Sequence, residues 1–330
     1  MNFARVGPIK VFALLLWALP AVASADDARE WLSRMEQAVE TLSYEGTFVH
    51  MVGSSIETMH VIHRAVDGQV EERLFSRDQP GREILRHNDK VTCIFSDQRT
   101  VLVERRKGSH GTPLLSALAQ GSSEVERWSE FREAGEGRKL DRAVTVIEVR
   151  PRDVYRYGHR LWLDQLTAVP LKVQLLDHQG LAVEQIQFVS IMLPAEISDA
   201  RLQPEVEMEG FTWFEQDRAL AAAAEAPGAG WAVEEPPPGF RLTESRVRTL
   251  PGSDHPVEHL VYSDGLASVS VFVEPADATD QALSGLSRMG AAHAFTLILD
   301  GQQITAVGEV PPNTVERIAR SLRAVEAPAN

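Results

Sequence analysis

The sequence predicts an α+β protein: a large antiparallel sheet curved around one helix, followed by a smaller α+β unit. Three observations carry this. A helical stripe from Asp27 to Leu42 gives way to a long series of period-two alternations separated by tight-turn residues. About ten such strands follow that single helix, and a sheet of this size buries its apolar face by curling around the helix. An Ala-, Gly- and Pro-rich stretch from Ala219 to Gly239 then breaks the rhythm, and short strands resume before a last amphipathic helix.

The chain opens with a segment that does not belong to the fold. Arg5 and Lys10 precede an apolar run, Val11 to Leu19, and small residues follow at Ala21-Val22-Ala23 and Ala23-Ser24-Ala25. The run is too short to span a bilayer core of about 30 Å, so it reads as a cleaved secretory signal. In the first helix Trp31, Met35, Val39 and Leu42 share a stripe with Ala28 and Leu32 beside it, and Asp26 or Asp27 supplies the cap. Strands are expected at Tyr44–Val52, Ile56–Ala65, Gln69–Ser76, Arg82–Arg86, Val91–Phe95 and Thr100–Glu104. Ala143–Arg150, Arg160–Asp164, Leu171–Leu176 and Ala182–Val189 follow. Asp67-Gly68, Asn88-Asp89 and Asp177 to Gly180 are turns between them. Gly111 to Ala119 is apolar, follows Arg105-Arg106-Lys107, and reads as a short helix over the sheet or a lid on a cavity.

In the second unit, strands are expected at Phe240–Thr249, Val257–Tyr262, Leu266–Glu274, His293–Leu299 and Ile304–Gly308. A helix is expected near Asp280–Arg288, and hairpin turns at Asp264-Gly265 and Asp300-Gly301. The last helix starts after Pro311-Pro312 with Asn313 or Thr314 as cap. Its stripe is Val315, Ile318, Ala319, Leu322 and Val325. The division is 1–25 signal peptide, 26–217 large domain, 218–238 linker and 239–330 small domain. The tripeptide Pro236 to Pro238 makes the linker semi-rigid.

The formal charge is −14, and −16 without Arg5 and Lys10. An acidic exported protein is poorly suited to nucleic acid, and meets anionic lipid only through a local basic cluster. Cys93 is the only cysteine, so no intrachain disulfide forms; its alternating apolar context predicts a buried, inert thiol. Metalloprotease, nucleophile-elbow and CxxC patterns are absent. His60 and His63 point to opposite faces of a strand, and Ser253-Asp254-His255 are too close in sequence to form a triad. No catalytic residue, metal ligand or cofactor is assigned.

The remaining chemistry is binding. A concave sheet around an apolar helix suits an apolar ligand or an extended peptide. Trp31, Met35, Phe48, Met51, Phe75, Leu114, Leu115, Leu118 and Trp162 are the candidate walls of a lipid cavity, each also placed for ordinary core packing. Arg246 and Arg248 share a strand face and are the candidate contacts to acidic groups of a partner peptide.

Five phrases in order carry a resemblance. They are Leu42-Ser43-Tyr44-Glu45-Gly46-Thr47-Phe48, the run from Val169 to Asp177, Pro238-Gly239-Phe240, Val261 to Leu266, and Gly308 to Thr314 leading into VERIARSL. Behind a signal peptide, this set resembles the RseB/MucB family of sigma-E regulatory proteins, and its Ala-rich linker resembles the MucB branch. The resemblance implies a periplasmic two-domain protein whose large domain is a lipoprotein-carrier-like half-barrel. It implies binding to the periplasmic part of a membrane anti-sigma factor, protection of that factor from regulated proteolysis, and release by lipid or lipopolysaccharide acyl chains. Self-association into a homo-oligomer is allowed; nucleic acid and cofactors are not expected. The competing reading is a periplasmic lipid or lipoprotein carrier, for which the large domain alone suffices.

Overall fold

A computed structural model describes residues 25–78, 81–105, 123–216, 226–227, 230–249, 255–276 and 284–325. Helix α1 (Ala25–Thr41) is followed by β1 (Tyr44–Val52), β2 (Ser55–Val66), β3 (Gln69–Ser76), β4 (Arg82–His87), β5 (Lys90–Phe95) and β6 (Thr100–Arg105). Helix α2 (Ser123–Trp128) leads into β7 (Ser129–Lys139), β8 (Arg142–Pro151), β9 (Gly158–Asp164), β10 (Pro170–Leu176) and β11 (Ala182–Met192). Next come β12 (Thr212–Gln216), β13 (Ala226–Pro227), β14 (Trp231–Val233), β15 (Arg241–Thr249), β16 (Pro256–Ser263) and β17 (Ser268–Pro275). The chain finishes with β18 (Gly285–Met289), β19 (Ala292–Leu299), β20 (Gln302–Gly308), α3 (Pro312–Arg320) and β21 (Leu322–Ala324).

The first twelve strands form one sheet in the order β12-β6-β5-β4-β3-β2-β1-β11-β10-β9-β8-β7. All its pairings are antiparallel except β12 with β6. Six inter-strand steps separate β2 from β7, about 29 Å on a flat sheet. Both strands touch α1, a helix about 25 Å long. The sheet therefore wraps the helix as an open half-barrel. Ala28, Leu32 and Met35 of α1 are buried against Phe131, Ile147, Val149, Leu161 and Leu163 of β7, β8 and β9. Positive φ at Asp67 and Gly68 closes the β2–β3 hairpin as the sequence predicts.

The smaller sheet runs β13-β15-β16-β17-β20-β19-β18. Helix α3 packs Val315, Ile318 and Ala319 onto Leu260, Val271, Ile304 and Ala306. A two-stranded ribbon pairs Trp231 with Ala324 and Val233 with Leu322.

Several expectations are corrected. Residues 285–289 form an edge strand paired with β19, where a helix was expected over 280–288; pairing with an existing sheet edge overrides the local pattern. Strand β7 was missed because its FREAGEGRK run alternates little and exposes most of its side chains at a sheet edge. Asp26 and Asp27 lie inside the first turn of α1 and do not precede it. Pro311 precedes α3, and the Thr314 hydroxyl is used elsewhere. The α3 stripe ends at Ala319: Leu322 is buried on β21 and Val325 is exposed. Cys93 is partly exposed. The signal segment and Leu114, Leu115 and Leu118 lie outside the described residues.

Trp31 is only partly buried, with the Arg34 guanidinium 4.1 Å over its ring, whereas Met35 is fully buried. Met35→Ala is therefore expected to cost about 2–5 kcal/mol through lost transfer energy and a cavity. Urea titrations of Met35→Ala and Trp31→Ala compare the two sites. A larger loss at Trp31 than at Met35 would contradict this packing.

Candidate partner-binding face and domain junction

Register assigns each side chain of the large sheet to one of two faces. His63 Nε2 lies 2.9 Å from the Val39 carbonyl of α1, so His63 and its cross-strand neighbour Tyr44 mark the helix side. On that side Gly46, Val61, Leu74, Ile84, Cys93, Leu102 and Phe214 form one cross-strand row from β1 to β12. Phe48 and Met59 pair beside it. A Cβ on Gly46 would meet the Ser190 carbonyl oxygen at 2.6 Å, so close approach of β1 and β11 demands glycine there. Leu74, Ile84, Cys93 and Leu102 are half-buried and Phe214 is exposed. The row runs away from the strands that α1 covers. It is a concave apolar wall that continues to β12, the last strand of this sheet among the described residues.

The lipid-cavity candidates divide between the faces. Met35 and Phe48 lie on the concave side, Met35 in the helix–sheet core and Phe48 edge-on to Phe188. Met51, Phe75 and Trp162 lie on the convex side. Met51 Sδ accepts a bond from Gln185, Phe75 touches the tilted ring of His60 and carries the Arg73 guanidinium over its own ring, and Trp162 lies under Lys172. Those three cannot share a cavity with Met35 and Phe48. Sequence alternation does separate Phe48 and Met51, three apart on β1, and grouping them in one cavity overlooked that spacing. It does not fix one strand's phase against the next, so it leaves Phe75 and Trp162 unassigned to a face. The row Leu74–Ile84–Cys93–Leu102 was missed for the same reason; cross-strand registers are what bring it together.

Among the candidates for partner contacts, Arg246 lies in the small sheet between Pro227 and His259 and pairs with Glu244 at 3.0 Å. Arg248 sits two positions along the same strand, opposite Val257.

The loop between β8 and β9 carries the junction. Arg156 is 3 % exposed; its guanidinium reaches Asp264 of the small unit at 3.0 Å and Asp153 of its own loop at 3.1 Å. It also donates to the Pro238 carbonyl at 2.5 Å and lies between the rings of Trp128 and Phe240. Gly239 has φ +84°, and a Cβ there would meet Trp128 at 2.5 Å, so Pro238-Gly239-Phe240 is a docking turn as well as a linker end. The Thr314 hydroxyl donates to the Tyr155 carbonyl at 2.6 Å, and Arg317 donates to the Tyr155 hydroxyl at 2.9 Å. Tyr157 donates to the Ala291 carbonyl at 3.1 Å, and burial raises its pKa to about 12. Leu266 packs onto the helix–sheet core.

A charged cluster adds to the junction. His50 lies 2.8 Å from Glu184, and that hydrogen bond raises its pKa. Burial, then the Glu184 charge, raises the Glu309 carboxyl above the ordinary range. Among the described residues no group of His, Cys, Asp or Glu could hold a metal ion, and no helix is long and apolar enough to cross a membrane.

Comparison with known proteins matches two family models: the MucB/RseB N-terminal domain over residues 27–206 and the MucB/RseB C-terminal domain over 225–323. The chain is 34% identical to the sigma factor AlgU regulatory protein MucB of Pseudomonas aeruginosa, over 93% of this chain and 94% of that one. It is 30% identical to the sigma-E factor regulatory protein RseB of Salmonella typhimurium, over 92% and 93%. A crystal structure of MucB in complex with MucA(peri) superposes with a TM-score of 0.70 at 33% identity, covering 91% of this chain and 100% of that chain. With both halves matched in order, and with the half-barrel and small sheet arranged as described, this chain belongs to the MucB/RseB family.

Proposed function

We propose that this chain is a periplasmic negative regulator. It binds the periplasmic part of a membrane anti-sigma factor, shields that factor from regulated proteolysis, and is released by envelope lipid or lipopolysaccharide. The observation that carries the reading is the superposition of nearly the whole chain, both sheets together, on MucB bound to MucA(peri). A carrier needs only the half-barrel; here a buried Arg156 ties the second unit to it. The relatives are named as regulatory proteins, and no catalytic role is assigned. The division into domains 26–217 and 239–330 with a linker at 218–238 belongs to the same proposal. The gap between the two family-model matches, 207–224, supports it.

The concave wall of Leu74, Ile84, Cys93 and Leu102 is the proposed acyl-chain surface, with Met35 and Phe48 beside it. Lipid and peptide then either compete or prefer different states, and linkage makes the effect reciprocal. For pure exclusion, lipid at about 100 times its dissociation constant weakens peptide binding about 100-fold. Titrating the anti-sigma segment at several fixed concentrations of a short-chain phospholipid below micelle formation tests this. Peptide affinity that stays flat while lipid occupancy rises would remove the release step. Leu102→Asp is expected to abolish the lipid effect and leave the fold intact, because Leu102 is only half-buried.

A further inference from the structure

We propose that one end of the half-barrel, the tips of the β7–β8 and β9–β10 hairpins, docks this protein on the surface of an anionic bilayer. The two tips are neighbours: Val144 pairs with Asp164, and the Gln165 amide donates to the Ala143 carbonyl at 2.9 Å. Each tip presents a leucine to solvent. Leu166 is 86 % exposed and Leu140 is 37 % exposed. Leu140 has φ +49°, in a two-residue turn that favours Asn or Gly. A bulky residue in that conformation is held outward at a cost in backbone energy, which marks functional positions.

Cations rim these leucines. Lys139 and Lys172 both lie over the Trp162 ring, at 5.8 and 4.5 Å, and among the described residues neither has a carboxylate within ion-pair distance. Burial, then the charges of Lys139 and Arg160, lowers the Lys172 pKa: these cations crowd one another. Arg138 donates to the Asp141 carbonyl and Arg34 to the Gln165 carbonyl, so both stand at the same end. The acids there are Asp164, neutralised by Arg142 at 2.6 Å, with Glu136 and the exposed Asp141. With a net charge of −14, the chain as a whole is repelled by anionic lipid, so docking on it needs a local basic cluster. The opposite end of the sheet makes the contrast. Its exposed Ile56 and Leu181 are flanked by Glu57, Asp78 and Asp177. Apolar tips, a tryptophan and unpaired lysines together fit the headgroup layer, where lysine stems and indole rings lie with their polar ends in water. This docking stands apart from the proposed function, because it uses the convex face and the hairpin tips rather than the concave wall or the junction.

The test is flotation of the full mature chain with vesicles of equal parts phosphatidylglycerol and phosphatidylcholine, against vesicles of phosphatidylcholine alone. Binding to the anionic vesicles only, weakened by salt, is the expected result. Lys139→Glu with Lys172→Glu is expected to weaken it roughly 25-fold or more, since each basic residue near such a surface contributes about fivefold. Leu166→Asp, at a solvent-facing turn, is expected to weaken it at least about tenfold with an unchanged melting temperature. Equal binding to both vesicle types, no binding at low salt, or full binding by both variants would overturn the proposal. So would capture of a polyglutamate peptide by the same lysines without any vesicle binding.

Discussion

Replacing Arg156 with Ala is expected to destabilise the junction by about 3–5 kcal/mol, the usual consequence of leaving a buried charge unpaired. Asp264 is 1 % exposed and loses its cation, while the rings of Trp128 and Phe240 lose the group between them. Arg156→Lys is expected to recover only part of the loss, because a point charge cannot serve Asp153, Asp264 and the Pro238 carbonyl together. Differential scanning calorimetry reads the result. One cooperative transition in the parent chain is expected to split into two in the alanine variant, with weaker binding of the anti-sigma segment. A variant that melts as one unit at the parental temperature would show that the two sheets do not depend on this contact.

The second large effect is acid sensitivity. His159 is buried on β9, and desolvation lowers its pKa to about 4. The unfolded chain takes up this proton near pH 6.5 and the folded chain resists it. The stabilisation is therefore complete above pH 6.5 and is lost as the pH falls toward 4, on the order of 3 kcal/mol in all. His50 acts in the other direction: its raised pKa gives a contribution present below pH 6.5 that fades as the pH rises through the raised value. Urea midpoints between pH 4.5 and 6.5 are expected to fall with acidity in the parent and to flatten in His159→Leu. An unchanged slope in that variant would assign the acid response in this window to groups other than His159. Glu148 and Asp164, whose carboxyls arginine contacts hold below the ordinary range against the cost of burial, lose their contribution only at still lower pH.

Most of the strands were legible because period-two alternation and turn residues are local signals. The bounds of β1 and β3 match the alternating runs residue for residue. Edge elements were less legible. Strand β7 buries few side chains and β18 almost none, so neither shows the contrast of buried and exposed residues that alternation needs. The site was the least legible part. The separation of Phe48 from Met51 follows from their spacing of three on β1, but the faces of Phe75 and Trp162 are set only by cross-strand register. Arg156 lies in Asp153-Val154-Tyr155-Arg156, which reads as solvated loop; its role exists only once Asp264, more than a hundred residues on, is brought beside it. The phrase Pro238-Gly239-Phe240 was visible as a motif, and the structure supplies its reason in the approach of Gly239 to Trp128.

The central claim is that both sheets, held together, form one binding unit for an anti-sigma factor. Its most direct measurement is an isothermal titration of the full mature chain with the periplasmic segment of the anti-sigma factor from the same cell, alongside Arg156→Ala. The account predicts saturable binding by the parent chain, slower cleavage of the bound segment by its regulatory protease, and markedly weaker binding by the variant. No binding by the parent, or equal binding by parent and variant once the variant's junction is shown to have opened, would contradict it.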